Sequence, residues 1–168
     1  YMSANAGSTH GTELYAYETT NNSAWLAADI RTGSAGSSPN ELVIFGTRVY
    51  LQATSGTHFE LWAYESTNGS SWPVTNFQSS SSFGAPSGFT EFDGKLYFKA
   101  DDGNGAELWA TSPTNDTVWL AQDINPAGAS SPTDFHVFGG AMFFAADDGT
   151  NGRELWSVSA FIQDISFV

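Results

Sequence analysis

Two short acidic loops carry the side chains best suited to chemistry. Asp101-Asp102 and Asp147-Asp148 each lie between an Ala and a Gly, and a Glu-Leu-Trp step follows shortly after each loop. Carboxylates hydrogen-bond sugar hydroxyls, and aromatic rings pack against the C–H face of a sugar. We therefore predict carbohydrate binding by these aspartates and by the residues of three Glu-Leu-Trp steps. The predicted set is Asp101, Asp102, Glu107, Trp109, Asp147, Asp148, Glu154, Trp156, Glu60 and Trp62.

Each residue type in this set also has a second interpretation. Asp-Asp-Gly is ordinary turn chemistry. The glutamates are equally suited to accept backbone N–H groups and lock the adjoining loop. The tryptophans equally fit packing between neighbouring sheets. Clustered carboxylates also favour calcium as an alternative, although their spacing is not that of an EF-hand loop. We expect no other cofactor.

Catalytic patterns are weak in this sequence. His10, His58 and His136 have no HExxH spacing, and the chain contains no Cys that could serve as a nucleophile. A glycosidase needs two acids in different roles, whereas a repeat supplies equivalent ones. We therefore predict that the protein is not an enzyme.

Three N-glycosylation acceptor triplets recur at a spacing of 47 residues. They begin at Asn21, Asn68 and Asn115, and the middle residue differs in every copy. The prediction is a glycoprotein with exposed turns at these positions, and the alternative is a duplicated polar turn in which Asn tolerates left-handed backbone.

Composition narrows the class of partner. The net charge is −13 with only five Lys and Arg, so nucleic acid and anionic membrane surfaces are poor partners. No run of 18 apolar residues is present, so we predict no membrane insertion. Together with the acceptor triplets, these features favour a secreted, extracellular protein. The start at Tyr1 is typical of a processed chain or an excised fragment.

A tandem repeat must position these residues. Glu-Leu-aromatic steps begin at Glu13, Glu60, Glu107 and Glu154, again 47 residues apart. Equal steps of this length indicate stacked β modules such as propeller blades. We predict one all-β propeller domain over residues 1–168, with repeats at approximately 1–45, 46–92, 93–138 and 139–168.

Each repeat contains four stretches of strand character separated by Gly, Pro, Ser and Asn. In the third copy they span residues 95–101, 107–111, 118–124 and 133–138. Two-residue turns such as Asp93-Gly94 follow the last stretch and supply the positive φ of a tight hairpin. In such a meander the acidic loops lie at the same end as the loop from Pro126 to Pro132.

The segments FDGKLYFKADDGNGAELW, FGGAMFFAADDGTNGRELW and DINPAGASSP resemble the ELWxxDGT-type repeats of secreted propeller proteins. The likeness covers nearly the whole chain, although the DGT expected after ELW is missing. The resemblance implies a β-propeller of four-stranded antiparallel blades, found in surface and adhesion proteins. The plan is also similar to tandem-repeat lectins, including N-acetylglucosamine-binding propellers.

These observations lead to two hypotheses of function. The first is a secreted lectin that binds glycans, including N-acetylhexosamines, at several weak and similar sites, with homo-oligomerisation raising avidity. The second is a structural or adhesion module of a larger extracellular protein, stabilised by calcium in one variant. For the architecture we expect four blades in one ring, and the alternative is an open arc that dimerises into a larger ring.

Overall fold

A computed structural model describes residues 1–5, 7, 9–77, 85–160 and 165–167, the last three by their backbone only. The described residues form fifteen strands and no helix, so the prediction of an all-β chain is confirmed. All strand pairs are antiparallel, and they form one sheet of three strands and three sheets of four. No helix in the described ranges has the length and hydropathy needed to cross a bilayer.

The strands follow one another along the chain as simple meanders. The first sheet contains β1 (Met2–Asn5), β2 (Thr12–Glu18) and β3 (Ser23–Ala28). The second contains β4 (Asn40–Phe45), β5 (Arg48–Thr54), β6 (Phe59–Glu65) and β7 (Ser70–Pro73). The third contains β8 (Ser87–Phe92), β9 (Lys95–Asp101), β10 (Ala106–Ser112) and β11 (Thr117–Gln122). The fourth contains β12 (Thr133–Phe138), β13 (Ala141–Asp147), β14 (Arg153–Ser159) and β15 (Ile165–Phe167).

Sheet membership is offset by one strand from the sequence repeat. The stretch 133–138 closes the third repeat, but β12 pairs with β13 and so opens the fourth sheet. The two-residue turns cause the offset, because each of them joins two neighbouring antiparallel strands. Asp93 and Gly94, which connect β8 to β9, both have positive φ, as the sequence predicts for such a turn.

The chain divides into two compact units, residues 1–76 and 77–168. In the first unit, one face of the first sheet packs on one face of the second. Aliphatic side chains dominate this core, which contains Leu14, Ala28, Ile30, Val49, Leu51, Ala53, Trp62 and Tyr64. Strands with apolar residues on both faces are expected where sheets stack against each other.

The second unit repeats the same contact between the third and fourth sheets. Its core contains Phe92, Tyr97, Leu108, Ala110, Ile124, Met142, Phe144, Ala146 and Val158. Leu14 and Leu108 occupy the same repeat position, and both are fully buried. Leu51 and Phe144 form the other side of the respective contacts and are also buried. Two independent sheet pairs therefore use one packing scheme.

Candidate functional site

A polar cleft of about 290 Å³ lies at one end of the third sheet. Two loops form it: the loop from β9 to β10 and the loop that follows β11. Its lining consists of Asp102, Asn104, Gly105, Glu107, Trp109, Leu120, Asp123, Asn125 and Pro126. Three of the residues predicted to bind carbohydrate thus share one cleft, and the two loop types lie at one end as the meander predicts.

Glu107 holds the two loops in place. Its Oε2 accepts a hydrogen bond from the backbone N–H of Ile124 at 2.8 Å and from Ser130 Oγ at 2.6 Å. Its Oε1 accepts the backbone N–H of Ser130 at 2.8 Å. The carboxylate is buried, so both oxygens serve the protein, in line with the loop-locking interpretation. Glu107 is therefore a positioning residue of the cleft.

The same network occurs in the first unit around Glu13, which is fully buried. The backbone N–H groups of Ile30 and Arg31 donate to its carboxylate at 3.0 and 3.2 Å, and so does Ser37 Oγ. Glu60 receives a hydrogen bond from Thr75 Oγ1, which in turn accepts the N–H of Leu61 at 2.9 Å. Loop locking by this glutamate thus recurs in the first three repeats, and sugar contact by Glu60 stays a prediction.

The acidic loops fold around their own aspartates. Asp101 Oδ1 accepts the N–H groups of Gly103 and Gly105 at 2.7 and 3.0 Å. Asp102 Oδ1 accepts both the backbone N–H and the side-chain amide of Asn104, at 3.2 and 3.1 Å. These bonds fix the polar groups of the cleft before any ligand arrives, which lowers the entropic cost of binding.

The loop of the fourth sheet has a similar internal network. Asp147 Oδ1 accepts the N–H of Gly149 at 2.7 Å. Asp148 Oδ1 accepts the N–H groups of Thr150 and Asn151, both at 2.8 Å, and its Oδ2 accepts the side-chain amide of Asn151 at 2.8 Å. These hydrogen bonds, the one from the Asn151 N–H above all, lower the pKa of Asp148. Ordinary turn chemistry is therefore present in both acidic loops, beside any further role.

The three tryptophans of the predicted set differ in their surroundings. Trp62 is a core residue of the first unit. Trp156 is partly buried against the core of the second unit. Trp109 lines the cleft, and its indole lies 4.6 Å from the Phe77 ring, centroid to centroid. Among the three, Trp109 is thus the one placed at the cleft.

Asn125 and Asp123 complete the far side of the cleft. Asn125 Oδ1 accepts the N–H of Ala127 at 3.2 Å, and its Nδ2 donates to the carbonyl of Ala129 at 3.4 Å. Asp123 is exposed, and its carboxylate has no hydrogen-bond partner among the described residues. A carboxylate left open beside oriented amides is the kind of acceptor that a polyhydroxylated ligand requires.

The first sheet cannot offer the same acceptor. Asp29 occupies the repeat position of Asp123, but its Oδ2 lies 3.0 Å from Nδ1 of His10, which comes from the loop between β1 and β2. This pair joins the two loops that would border an equivalent opening. The repeats are therefore equivalent in backbone and different in chemistry.

Among the described residues, Glu154 shows no network like that of Glu107. Its Oε2 is buried and has no hydrogen-bond partner among the described residues, while Asp164, which matches Asp123, lies outside them. Burial raises the pKa of Glu154, and the neighbouring carboxylates of Asp148 and Asp147 raise it further. The charged form of Glu154 therefore opposes folding at neutral pH.

Replacing Glu154 with Gln is expected to raise Tm slightly at pH 7. A carboxyl group with a raised folded-state pKa lowers stability above that pKa, and protonation removes the cost as pH falls through it. The advantage of Glu154→Gln should therefore vanish below the ordinary Glu pKa of 4.5. Thermal melts of both proteins between pH 3.5 and 7 measure this difference in stability. The lowered pKa of Asp148 has the opposite effect on stability, but Asp148 is present in both proteins and its contribution cancels in the comparison. A variant less stable than the parent at pH 7 would contradict the prediction.

Calcium stays an alternative for the acidic loops. Within the described ranges, no group of three or more His, Asp and Glu side chains is arranged to hold a metal ion. The aspartates that were considered as ligands instead accept hydrogen bonds from their own loops.

The three acceptor triplets lie in exposed turns, which join β2 to β3, β6 to β7 and β10 to β11. The left-handed residue is the middle one, with φ of 57° at Asn22, 72° at Gly69 and 54° at Asp116. Asn, Gly and Asp are the residues that tolerate this region, which explains why this position varies among them. The alternative of a polar turn in which Asn tolerates left-handed backbone agrees with Asn22, whereas Gly69 and Asp116 take that position in the other two copies. Glycosylation of Asn21, Asn68 and Asn115 stays a prediction.

No protein-family model matches the chain, and no curated protein sequence matches it. Solved structures do match. TolB from Acinetobacter baumannii aligns over 96% of this chain and 38% of its own, with 12% identity and a TM-score of 0.60. A prolyl endopeptidase aligns over 96% of this chain and 23% of its own, with 12% identity and a TM-score of 0.66. A puromycin-hydrolysing peptidase of Mycobacterium tuberculosis aligns over 94% and 24%, with 14% identity and a TM-score of 0.61.

These matches support a β-propeller-like fold and, at such low identity, nothing beyond the fold. The chain spans less than two fifths of the length of each of these three proteins. Their activities therefore say nothing about the chemistry of the cleft.

Sequence reasoning did not assign Asn104, Leu120, Asn125 or Pro126 to the site. Asp123 shows the 47-residue spacing, which marks it as part of the repeat but does not mark it as a lining residue. The sequence does not show that the backbones of Gly105 and Gly128 lie close together, and this contact brings the two loops to one place. Glycines in both loops were the one available signal.

Proposed function

We propose that the protein is a non-enzymatic carbohydrate-binding protein whose best-formed site is the cleft of the third sheet. The supporting observation is the combination of Asp123, Asn104 and Asn125 with the indole of Trp109 in one opening of about 290 Å³. That volume lies near the lower end of the range for small-molecule sites, of the order of one sugar residue. We further propose a secreted protein with four-stranded propeller blades.

The charge of the cleft favours a neutral polyol. Its lining includes Asp102, Glu107 and Asp123, and no Lys or Arg lines it among the described residues. Anionic ligands such as phosphates and sialylated glycans are therefore repelled, and hydroxyl or amide donors are preferred. An N-acetylhexosamine offers both kinds of donor, with a C–H face for Trp109.

Replacing Asp123 with Asn is expected to weaken glycan binding at least tenfold, because the amide replaces one of the two acceptor oxygens with an NH₂ donor and removes the negative charge. A glycan array with the parent protein identifies the ligand, and calorimetry with that ligand measures the variant. Glu91→Gln removes the same charge from an exposed position of the third sheet outside the cleft and should leave affinity unchanged. Folded protein that binds no glycan on the array would end the proposal.

A structural or adhesion module of a larger extracellular protein is the second candidate. It is favoured by the small share, 23–38%, that this chain covers of three matched proteins, in which the fold is part of a longer polypeptide. Further repeats on either side of this sequence in its full reading frame would support this function. A reading frame that ends with these residues would count against it.

A further inference from the structure

The outer face of the fourth sheet carries large apolar side chains that are exposed among the described residues. Phe138 is 79% exposed and Leu155 is 50% exposed, although both lie on strands with apolar sequences. The pairing registers place Phe138 beside Ala141 and Leu155 beside Ala145, on the face that also carries Phe143. We call this surface, made of Phe138, Phe143 and Leu155, the trailing face.

The same repeat positions are buried in the third sheet. Phe92 and Leu108, which match Phe138 and Leu155, are 6% and 0% exposed. The cause is the fourth sheet, whose Met142 and Phe144 pack against them. The trailing face thus has the side chains of a sheet-to-sheet contact, and Phe138 and Leu155 on it are exposed among the described residues.

The first sheet presents the opposite kind of surface. Its Met2 pairs with Tyr15, as Leu51 pairs with Trp62 in the second sheet and Phe144 with Trp156 in the fourth. Met2 is 37% exposed and Leu51 is 0% exposed. We call the surface made of Met2, Tyr15 and Tyr17 the leading face, on which Met2 and Tyr17 are exposed and Tyr15 is buried.

Tyr17 shows the same change of exposure as Met2. It is 46% exposed, whereas Tyr64, at the same repeat position of the second sheet, is 6% exposed in the core of the first unit. Met2 and Tyr17 therefore lie on the kind of surface that covers a preceding sheet elsewhere in the chain.

The occupant of the trailing face follows from the internal packing. In both units, a trailing-type face with Leu14 or Leu108 is covered by a leading-type face with Leu51 or Phe144. A leading face therefore has the matching shape and chemistry, and a second copy of the chain supplies one. We propose that two copies associate with the trailing face of each on the leading face of the other, which forms a closed dimer.

Burial of these side chains is the driving force. Exposed aromatic and aliphatic side chains gathered on one face mark an interaction surface on a soluble protein. Because the contact is heterologous, damage to either face breaks it. Two proteins damaged on different faces still share one intact contact.

The test uses light scattering coupled to size-exclusion chromatography and sedimentation. The parent should have twice the monomer mass of 18.0 kDa. Phe138→Asp and Met2→Asp should each raise the dissociation constant at least tenfold, because a carboxylate is costly to bury in an apolar contact. An equimolar mixture of the two variants should form a heterodimer that neither forms alone.

Ile44→Asp is the matched control, since Ile44 is 62% exposed and lies on neither face. It should leave the mass unchanged. Circular dichroism establishes whether each variant is folded. We expect all of them to fold, because Phe138 and Met2 are exposed and their replacement leaves the core intact. A monomeric parent at 100 μM, whether its faces stay open or are covered within the chain, would overturn the proposal. So would a dimer that survives Met2→Asp, because the trailing faces would then pair with each other.

Discussion

Replacing Glu107 with Gln is expected to lower the free energy of unfolding by about 2–4 kcal/mol, which is large beside the total stability of a domain. The buried carboxylate accepts three donors: the N–H of Ile124, the N–H of Ser130 and Ser130 Oγ. An amide of the same shape turns one acceptor oxygen into an NH₂ group. At least one buried donor then faces another donor, and the desolvation cost of both is left uncompensated.

The loss should reach beyond the cleft. The carbonyl of Ser130 accepts the backbone N–H of Asp147 at 3.0 Å. This hydrogen bond connects the loop to the last residue of β13. In the first unit the carbonyl of Ser37 accepts the N–H of Thr54 at 3.0 Å in the same way. A loosened Ser130 therefore weakens the contact between the third and fourth sheets. Hydrogen exchange at the Asp147 amide should become faster in Glu107→Gln.

Thermal and denaturant melts measure the main effect, with an expected fall in Tm of about 10 °C. Glu154→Gln is the matched control, because it makes the same change at the same repeat position, where the described residues show no such network. The two variants should differ in sign, with Glu107→Gln destabilised and Glu154→Gln slightly stabilised at pH 7. Equal effects would show that the position, and not the network around it, determines the stability.

Strand content could be read from the sequence because apolar and aromatic stretches alternate with Gly, Pro and Asn. The third copy illustrates this: the predicted stretch 95–101 is β9, and the predicted stretch 133–138 is β12. The tight turns could also be predicted, since Asp93-Gly94 has the positive φ values that its sequence predicts.

Which strands pair in one sheet was harder to predict, because the boundary between repeats can be placed at any of the four loops without changing the period. The signal lay in loop lengths: β12 and β13 are joined by two residues, whereas β11 and β12 are separated by residues 123–132. A two-residue connection forces adjacent antiparallel strands, and a ten-residue one does not. Attention to this difference would have placed 133–138 in the fourth sheet.

The cleft could be predicted in part. Asp102, Glu107 and Trp109 follow from residue type and spacing. Asp123 and Asn125 come from a loop some twenty residues away, and spacing alone does not bring two loops together. What joins them is a close contact between backbones that requires glycine at position 105.

That contact gives the second large expected effect. Gly105→Ala should destabilise the protein by about 3 kcal/mol and abolish ligand binding at the cleft. Gly105 has a φ of +123°, and a Cβ built there would lie 2.2 Å from the carbonyl oxygen of Gly128 and 3.1 Å from Ala129 Cα. These are backbone atoms, so the new methyl group cannot be accommodated by a side-chain rotation. The loops must separate.

Gly103→Ala is the matched control within the same loop. Gly103 also has a positive φ, +109°, but a Cβ there would meet nothing within 4 Å. This variant therefore carries the backbone strain of a non-glycine residue, about 1–2 kcal/mol, without the collision. Urea melts of both variants separate the two costs, and ligand titrations should show binding retained in Gly103→Ala and lost in Gly105→Ala.

The first unit provides an internal repetition of this experiment. Gly11 has a φ of +66°, and its Cβ would lie 2.5 Å from the backbone N of Gly36 and 2.7 Å from the carbonyl oxygen of Ser34. Gly11→Ala should therefore destabilise the chain about as much as Gly105→Ala. It should leave ligand binding at the cleft unchanged, because the cleft lies in the third sheet. In the first sheet, Asp29 contacts His10 and is not open to a ligand in the way that Asp123 is. Equal loss of binding in both variants would mean that the ligand does not bind at the third sheet.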